Sequence, residues 1–215
     1  MNKTALLVGA TGLVGSHCLN ELITNDAFST VHILVRRPLE VKFPEKVQQH
    51  LIDFDHINEF QLDESIDTVF CCLGTTMKNA GSKAAFEKVD YTYVIESAKM
   101  GLRHKAKQFL VVSAIGADAN SRFFYNQVKG KVEKDLAQLA YDALHIFRPS
   151  MLGGKRNEFR LGEQVGIVLM RLFSPFFIGK LKRYAIISGK KVAQAMVKQA
   201  LTEKQGVFIM ESEEI

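Results

Sequence analysis

Residues 4 to 15 read TALLVGATGLVG, and the change of character at Gly9 decides the fold. Residues 4 to 9 form a short apolar run closed by a turn signal, the pattern of a strand buried on both faces. Glycines follow at Gly9, Gly12 and Gly15, and helical periodicity runs from about residue 13 to 25. Gly9 permits a tight turn, Gly12 lets backbone approach a ligand, and Gly15 lets the helix pack on the strand. The N–H groups of the helix start are then free to meet an anion. The GxxGxxG spacing differs by one residue from the GxGxxG dinucleotide fingerprint but does the same physical job. A glycine-rich turn without a ligand is the minority reading, because all three glycines fall between a strand and a helix.

The rest of the chain repeats this alternation. Residues 31 to 35, 47 to 52, 66 to 73, 108 to 113, 143 to 148 and 206 to 210 read as further strands. Helical periodicity appears near 83 to 101, 125 to 140, 161 to 173 and 190 to 202. Continuously apolar strands separated by helices predict a doubly wound α/β fold, a parallel sheet of about seven strands with helices on both faces.

The chain has 215 residues and 47% hydrophobic content, enough for one sizeable core and short for two. We expect one domain over 1–215, with 150–205 forming a small C-terminal cover on the substrate side. Disorder is expected only at the acidic tail ESEEI. The net charge of +5 suits an anionic ligand. The densest basic stretch, Lys180, Lys182, Arg183, Lys190 and Lys191, lacks the interleaved aromatics of a nucleic-acid platform. Cys18, Cys71 and Cys72 fit neither a disulfide framework nor a metal site, which implies a cytoplasmic protein with no bound metal. Residues 165 to 179 are the greasiest late segment, but Arg171 and Pro175 interrupt it and no membrane span is expected.

In this architecture ligands bind beyond the carboxyl ends of the strands, so the residues just after each strand carry the function. Arg36 and Arg37 follow the second strand; an Asp or Glu there would suit a ribose hydroxyl, whereas Arg suits a 2′-phosphate, so the expected cofactor is NADP(H). Asp53 and Phe54, after the third strand, are placed to pair with and cover the adenine. Leu73, Gly74 and Thr75 follow the fourth, where glycine allows close approach to the cofactor. The fifth strand ends at Ser113, and twelve residues on Tyr125 and Lys129 stand one helical turn apart. Serine and the Tyr/Lys pair converge on the crevice where a nicotinamide would lie.

With GATGLVG, RRP, DF, CCLGTT, VDYTYV, VSAIGAD, YNQVKGKVE and FRPSMLGG in this order, the chain resembles the atypical short-chain dehydrogenase/reductases of the Tat-interacting-protein oxidoreductase type. The resemblance covers residues 4 to 160 well and implies an NADP(H)-binding Rossmann domain. It implies that Tyr125 carries a proton, that Lys129 contacts the nicotinamide ribose, and that Ser113 holds the substrate oxygen. It puts Thr11, Gly12, Leu13 and Val14 on the pyrophosphate turn, Arg36 and Arg37 on the 2′-phosphate, and Leu73 and Gly74 on the ribose side. Leu152 and Arg160 would close over the cofactor. The expected activity is reduction of an unidentified carbonyl compound, or oxidation of the matching alcohol. A nearby ammonium favours the phenolate, so Lys129 would help Tyr125 exchange its proton. The rival expectation is a non-enzymatic NADP(H)-binding regulator. Partners would be a small-molecule substrate and, beyond it, a second copy of the chain or a regulatory protein.

Overall fold

The computed structural model describes residues 2–153, 185–202 and 204–215. Seven strands, β1 (Lys3–Val8), β2 (Phe28–Val35), β3 (Val47–Leu51), β4 (Thr68–Cys71), β5 (Gln108–Val112), β6 (Ala143–Arg148) and β9 (Gly206–Glu211), build one sheet in the order β3-β2-β1-β4-β5-β6-β9. Every pairing is parallel. Strand order reverses between β1 and β4, which opens the crevice at their carboxyl ends. The Rossmann expectation therefore holds, and each of the seven expected strands is present. A two-residue pair, β7 (Leu152–Gly153) with β8 (Ile187–Ser188), is an addition that periodicity cannot reveal in so short a segment.

The period of two along each strand sorts the core into two layers. Ala5 and Leu7 of β1, with Val31, Ile33 and Val35 of β2, face α1 (Leu13–Thr24) and the last helix, α6 (Gly189–Ala200). Leu6, Val8 and Leu34 face the opposite layer, made by the 3₁₀ segment Phe54–Glu59, α4 (Tyr93–Arg103) and α5 (Phe124–Leu136). Before α4 come two short helices, α2 (Met77–Ala80) and α3 (Lys83–Glu87), capped by the hydroxyls of Thr76 and Ser82.

Two expectations change, the helix near 83 to 101 and the acidic tail. The single helix expected near 83 to 101 is α3, a π turn over Lys88–Thr92, and α4. Most of the 150–205 stretch expected to cover the substrate side lies outside the described residues; its last helix, α6, buries Val192, Ala193, Met196 and Val197 in the layer it shares with α1. Its amphipathic pattern reads the same whether the apolar stripe meets a sheet or a ligand. The expected helix near 161 to 173 and the greasy segment lie outside the described residues. The acidic tail is ordered: Glu211 pairs with Arg148, Ser212 is buried against Ser150, and Ile215 packs on the core. Composition registers the charge of the tail but not the arginine waiting for it. Among the described residues no helix is long and apolar enough to cross a membrane.

Candidate functional site

The glycine turn is built as its spacing requires. Gly9 has φ +86°, and a side chain there would meet the backbone of Cys72 and Leu73 at 2.7 and 2.9 Å. A Cβ on Gly15 would collide with the Gly9 carbonyl, so the two glycines together seat α1 against the end of β1. Gly12 caps α1 with no side-chain bond and no acidic residue in the first turn, leaving the helix N-terminus open to an anion. Thr11 is exposed, Leu13 packs against Gly189 of α6, and Val14 is buried, so the last two offer only backbone to a ligand.

A cleft of about 920 Å³ opens over this turn. Gly9, Thr11 and Gly12 form its floor, Leu73, Gly74 and Thr75 one wall, and Arg36, Arg37 and Phe54 the far end. Both arginines are exposed there, and Phe54 is buried against Tyr93 with ring centroids 5.5 Å apart. Asp53 is exposed and accepts from the Asp55 N–H, capping the 3₁₀ segment. A positive φ glycine, a helix start without a side-chain cap, and two arginines in one cleft of this size make a cradle that fits a dinucleotide. Cys72 also lines the cleft. A hydrogen bond with the Cys18 thiol, and then desolvation, push its thiol well above the ordinary value, so it is no thiolate nucleophile.

The Tyr/Lys pair stands beside this cleft. Tyr125 is 37% exposed and leans on the buried Phe86 ring at 5.5 Å. Lys129 is only 4% exposed, and its Nζ lies 3.9 Å from where a Cβ on Gly74 would sit. It forms an ion pair at 2.8 Å with Asp90, whose other oxygen accepts from the Thr75 N–H at 2.7 Å. Burial pulls the ammonium down, but Asp90 and then Tyr125 outweigh it and hold Lys129 above the usual lysine value.

Ser113, just past the end of β5, is buried. Its hydroxyl donates to Glu133, which pairs with Arg148 at 2.5 Å; Arg148 reaches Glu211 at 3.0 Å. Glu133 is eight residues beyond Tyr125, about 12 Å along the helix axis at 1.5 Å per residue. The serine proton is thus engaged by the Glu133 carboxylate. Leu152 is half-buried in β7, and Arg160 lies outside the described residues.

Asp90, Glu133 and Arg148 are the polar residues that sequence reasoning passed over. The signal for Asp90 is a carboxylate in the stripe Phe86, Asp90, Val94, all three buried. For Glu133 it is position: Tyr125, Lys129 and Glu133 repeat every four residues on one face.

Residues 9–152 match the NAD(P)H-binding domain family. The chain is 39% identical to Protein HTATIP2 of Rattus norvegicus over 165 residues, covering 75% of this chain and 68% of that one. It is 34% identical to "Protein FMP52, mitochondrial" of Eremothecium gossypii over 214 residues, covering 98% and 95%. Among solved structures it is similar in fold to the Bordetella bronchiseptica enzyme WbmH in complex with NAD+, with a TM-score of 0.72 at 14% identity, over 98% of this chain and 76% of that one. It is likewise similar to a short chain dehydrogenase family protein from Francisella tularensis, with a TM-score of 0.68 at 12% identity, over 100% and 99%. With a fingerprint turn, a parallel sheet that reverses above it, a matching NAD(P)H-binding domain over residues 9–152 and a relative that spans nearly its whole length, the chain belongs to the NAD(P)H-binding oxidoreductase-like family that includes HTATIP2 and FMP52.

Proposed function

We propose that this protein is an NADP(H)-dependent oxidoreductase of the short-chain dehydrogenase type, acting on a carbonyl compound or the matching alcohol. The observation that carries the reading is the buried Lys129 ammonium, one helical turn from Tyr125 and close to Gly74 on the wall of the glycine-floored cleft. Backbone N–H groups of Thr11 to Val14 would hold the pyrophosphate, Arg36 and Arg37 the 2′-phosphate, and Phe54 the adenine, with Asp53 at its edge. Leu73, Gly74, Thr75 and Leu152 would line the ribose and nicotinamide side. The cofactor would supply or accept the hydride when bound.

Tyr125 would pass its proton to the substrate oxygen or take one back, and Lys129 would hold the ribose hydroxyls and the phenol in register. Ser113 is assigned to the same oxygen, a role its hydroxyl can take only by leaving Glu133. Burial of Lys129 excludes water from its ammonium and strengthens these contacts. The fungal relatives are named as mitochondrial, and three unbridged cysteines suit any reducing compartment, so cell fractionation decides between cytosol and mitochondrion.

The test is cofactor choice. Two guanidinium groups on a phosphate contribute ~1.5–3 kcal/mol, so NADPH should bind at least about tenfold more tightly than NADH. Calorimetric titration of both, repeated on the Arg36→Ala, Arg37→Ala double variant, should show the preference and then its loss. Equal affinities in the parent, or an unchanged preference in the variant, would remove the assignment.

A further inference from the structure

Among the described residues, Asp90 is the one strongly buried carboxylate beside the cleft that the proposed chemistry leaves without a task. It is 1% exposed, and the chain takes unusual steps to put it there. The π turn over Lys88–Thr92 widens the helix locally, and Asp90 stands at its centre. A carboxylate moved from water to such a place is expensive unless it is both paired and hydrogen-bonded. Asp90 meets both conditions, and each contact reaches toward the cleft: one oxygen takes the Thr75 N–H at 2.7 Å and the other the Lys129 ammonium at 2.8 Å. Gly74 stands between them, since a Cβ there would lie 3.5 Å from Asp90 Oδ1 and 3.9 Å from Lys129 Nζ. A wall residue, a carboxylate and an ammonium from three separate elements therefore meet at one point.

We infer that Asp90 is a positioning residue of the proposed reaction site, holding Lys129 Nζ against the Gly74–Thr75 turn where a nicotinamide ribose would meet it. The inference rests on the oxidoreductase reading and adds a requirement to it. Lys129 can act on a ribose or a phenol only as an ammonium, and an ammonium this deeply buried is unstable without a counter-charge. Burial alone pulls Lys129 down, and Asp90 is the largest influence opposing it. The same carboxylate fixes the Thr75 backbone, so the charge and the cleft wall move together. Cofactor binding then has a geometric condition: the ribose hydroxyls must share the ammonium with Asp90 rather than take it away.

The experiment is the pH dependence of NADPH affinity, read by fluorescence titration from pH 6 to 9. The parent should be flat between pH 7 and 9. Asp90→Asn retains an oxygen for the Thr75 N–H but no charge; it should match the parent near pH 6 and lose tenfold or more in affinity by pH 9, as Lys129 gives up its proton. A flat profile in folded Asp90→Asn overturns the inference. The Asp90→Asn, Lys129→Gln double variant, in which two amides replace the charges, covers the case where the single variant does not fold. It should bind NADPH as weakly as Lys129→Gln alone, because Asp90 acts through the lysine. Binding at least tenfold weaker than Lys129→Gln, with the fold intact by circular dichroism, overturns the inference. A parent protein that binds no NADPH at any pH instead overturns the cofactor reading beneath it, and the two failures are thereby distinguishable.

Discussion

At the scale of single residues, the phenol and the hydroxyl assigned to one substrate oxygen differ in how free they are. Tyr125 is partly exposed and packs on Phe86 through its ring, so Tyr125→Phe removes an oxygen without disturbing the contact. Its stability and NADPH affinity should stay near those of the parent, while turnover of any accepted carbonyl falls by ~10² to 10⁴, the usual loss for a general acid. Ser113 is buried and donates to Glu133, which is ion-paired with Arg148. Ser113→Ala should therefore lower unfolding free energy by ~1.5–3 kcal/mol, the range for a hydrogen bond to a charged group, with a smaller effect on rate than Tyr125→Phe. Denaturant unfolding and steady-state kinetics on both variants check the contrast. A silent Tyr125→Phe would leave the protein a cofactor-binding regulator, and a Ser113→Ala variant of parental stability would show that the Glu133 contact contributes nothing.

At the scale of elements, the edge of the sheet that carries Arg36 and Arg37 holds a partly buried chain of polar side chains. His32 of β2 meets His50 of β3 at 3.0 Å and Glu64 at 3.1 Å; His104, nearby, takes the Leu62 N–H. Burial first, against the attraction of Glu64, holds His32 below the ordinary histidine value. Burial and then His32 do the same to His50. Folding therefore favours the neutral rings. The stability they allow is full above the unfolded value of about 6.5 and is lost as pH falls below it toward the lower folded values. The slope is at most ~1.4 kcal/mol per pH unit for each proton that the unfolded chain binds and the folded chain does not. Thermal unfolding between pH 7.5 and 5 should show Tm falling, and His50→Gln, which removes one titrating ring, should flatten the curve. A parallel fall in both proteins would assign the loss to carboxylates elsewhere. Sequence periodicity locates β2 and β3 but cannot reveal this chain, because partners 18 and 32 residues apart have no spacing rule to betray them.

At the scale of the whole molecule, what the sequence reveals divides along the same line. The seven strands and the glycine turn are legible because hydrophobic period and turn chemistry are local, and Tyr125 and Lys129 because one helical turn is local too. The buried partners are not: Asp90, Glu133 and Arg148 owe their roles to a topology that brings β4, α5, β6 and β9 together at the carboxyl ends of the strands. The ordered tail belongs to the same class, as does α6, whose apolar stripe could not say which surface it covers. Arg148 is where these long-range terms concentrate, since it links Glu133 of α5 to Glu211 of β9 across 15 and 63 residues of sequence. Its two contacts differ in value. Glu133 is 7% exposed at its side chain, so Arg148→Met would leave a buried carboxylate uncompensated, at about 3–5 kcal/mol. Glu211 is 34% exposed, and Glu211→Gln should cost no more than about 1 kcal/mol, because solvent screens that pair. For a chain of this length each kcal/mol shifts Tm by about 2–4 °C, so calorimetry should separate the variants by about 4 °C or more. NADPH affinity should be the same in both, as neither residue lines the cofactor cleft. Equal, small Tm shifts would mean that β9 is held by its ladder with β6 and by packing alone, and that the charged bridge is incidental to the fold.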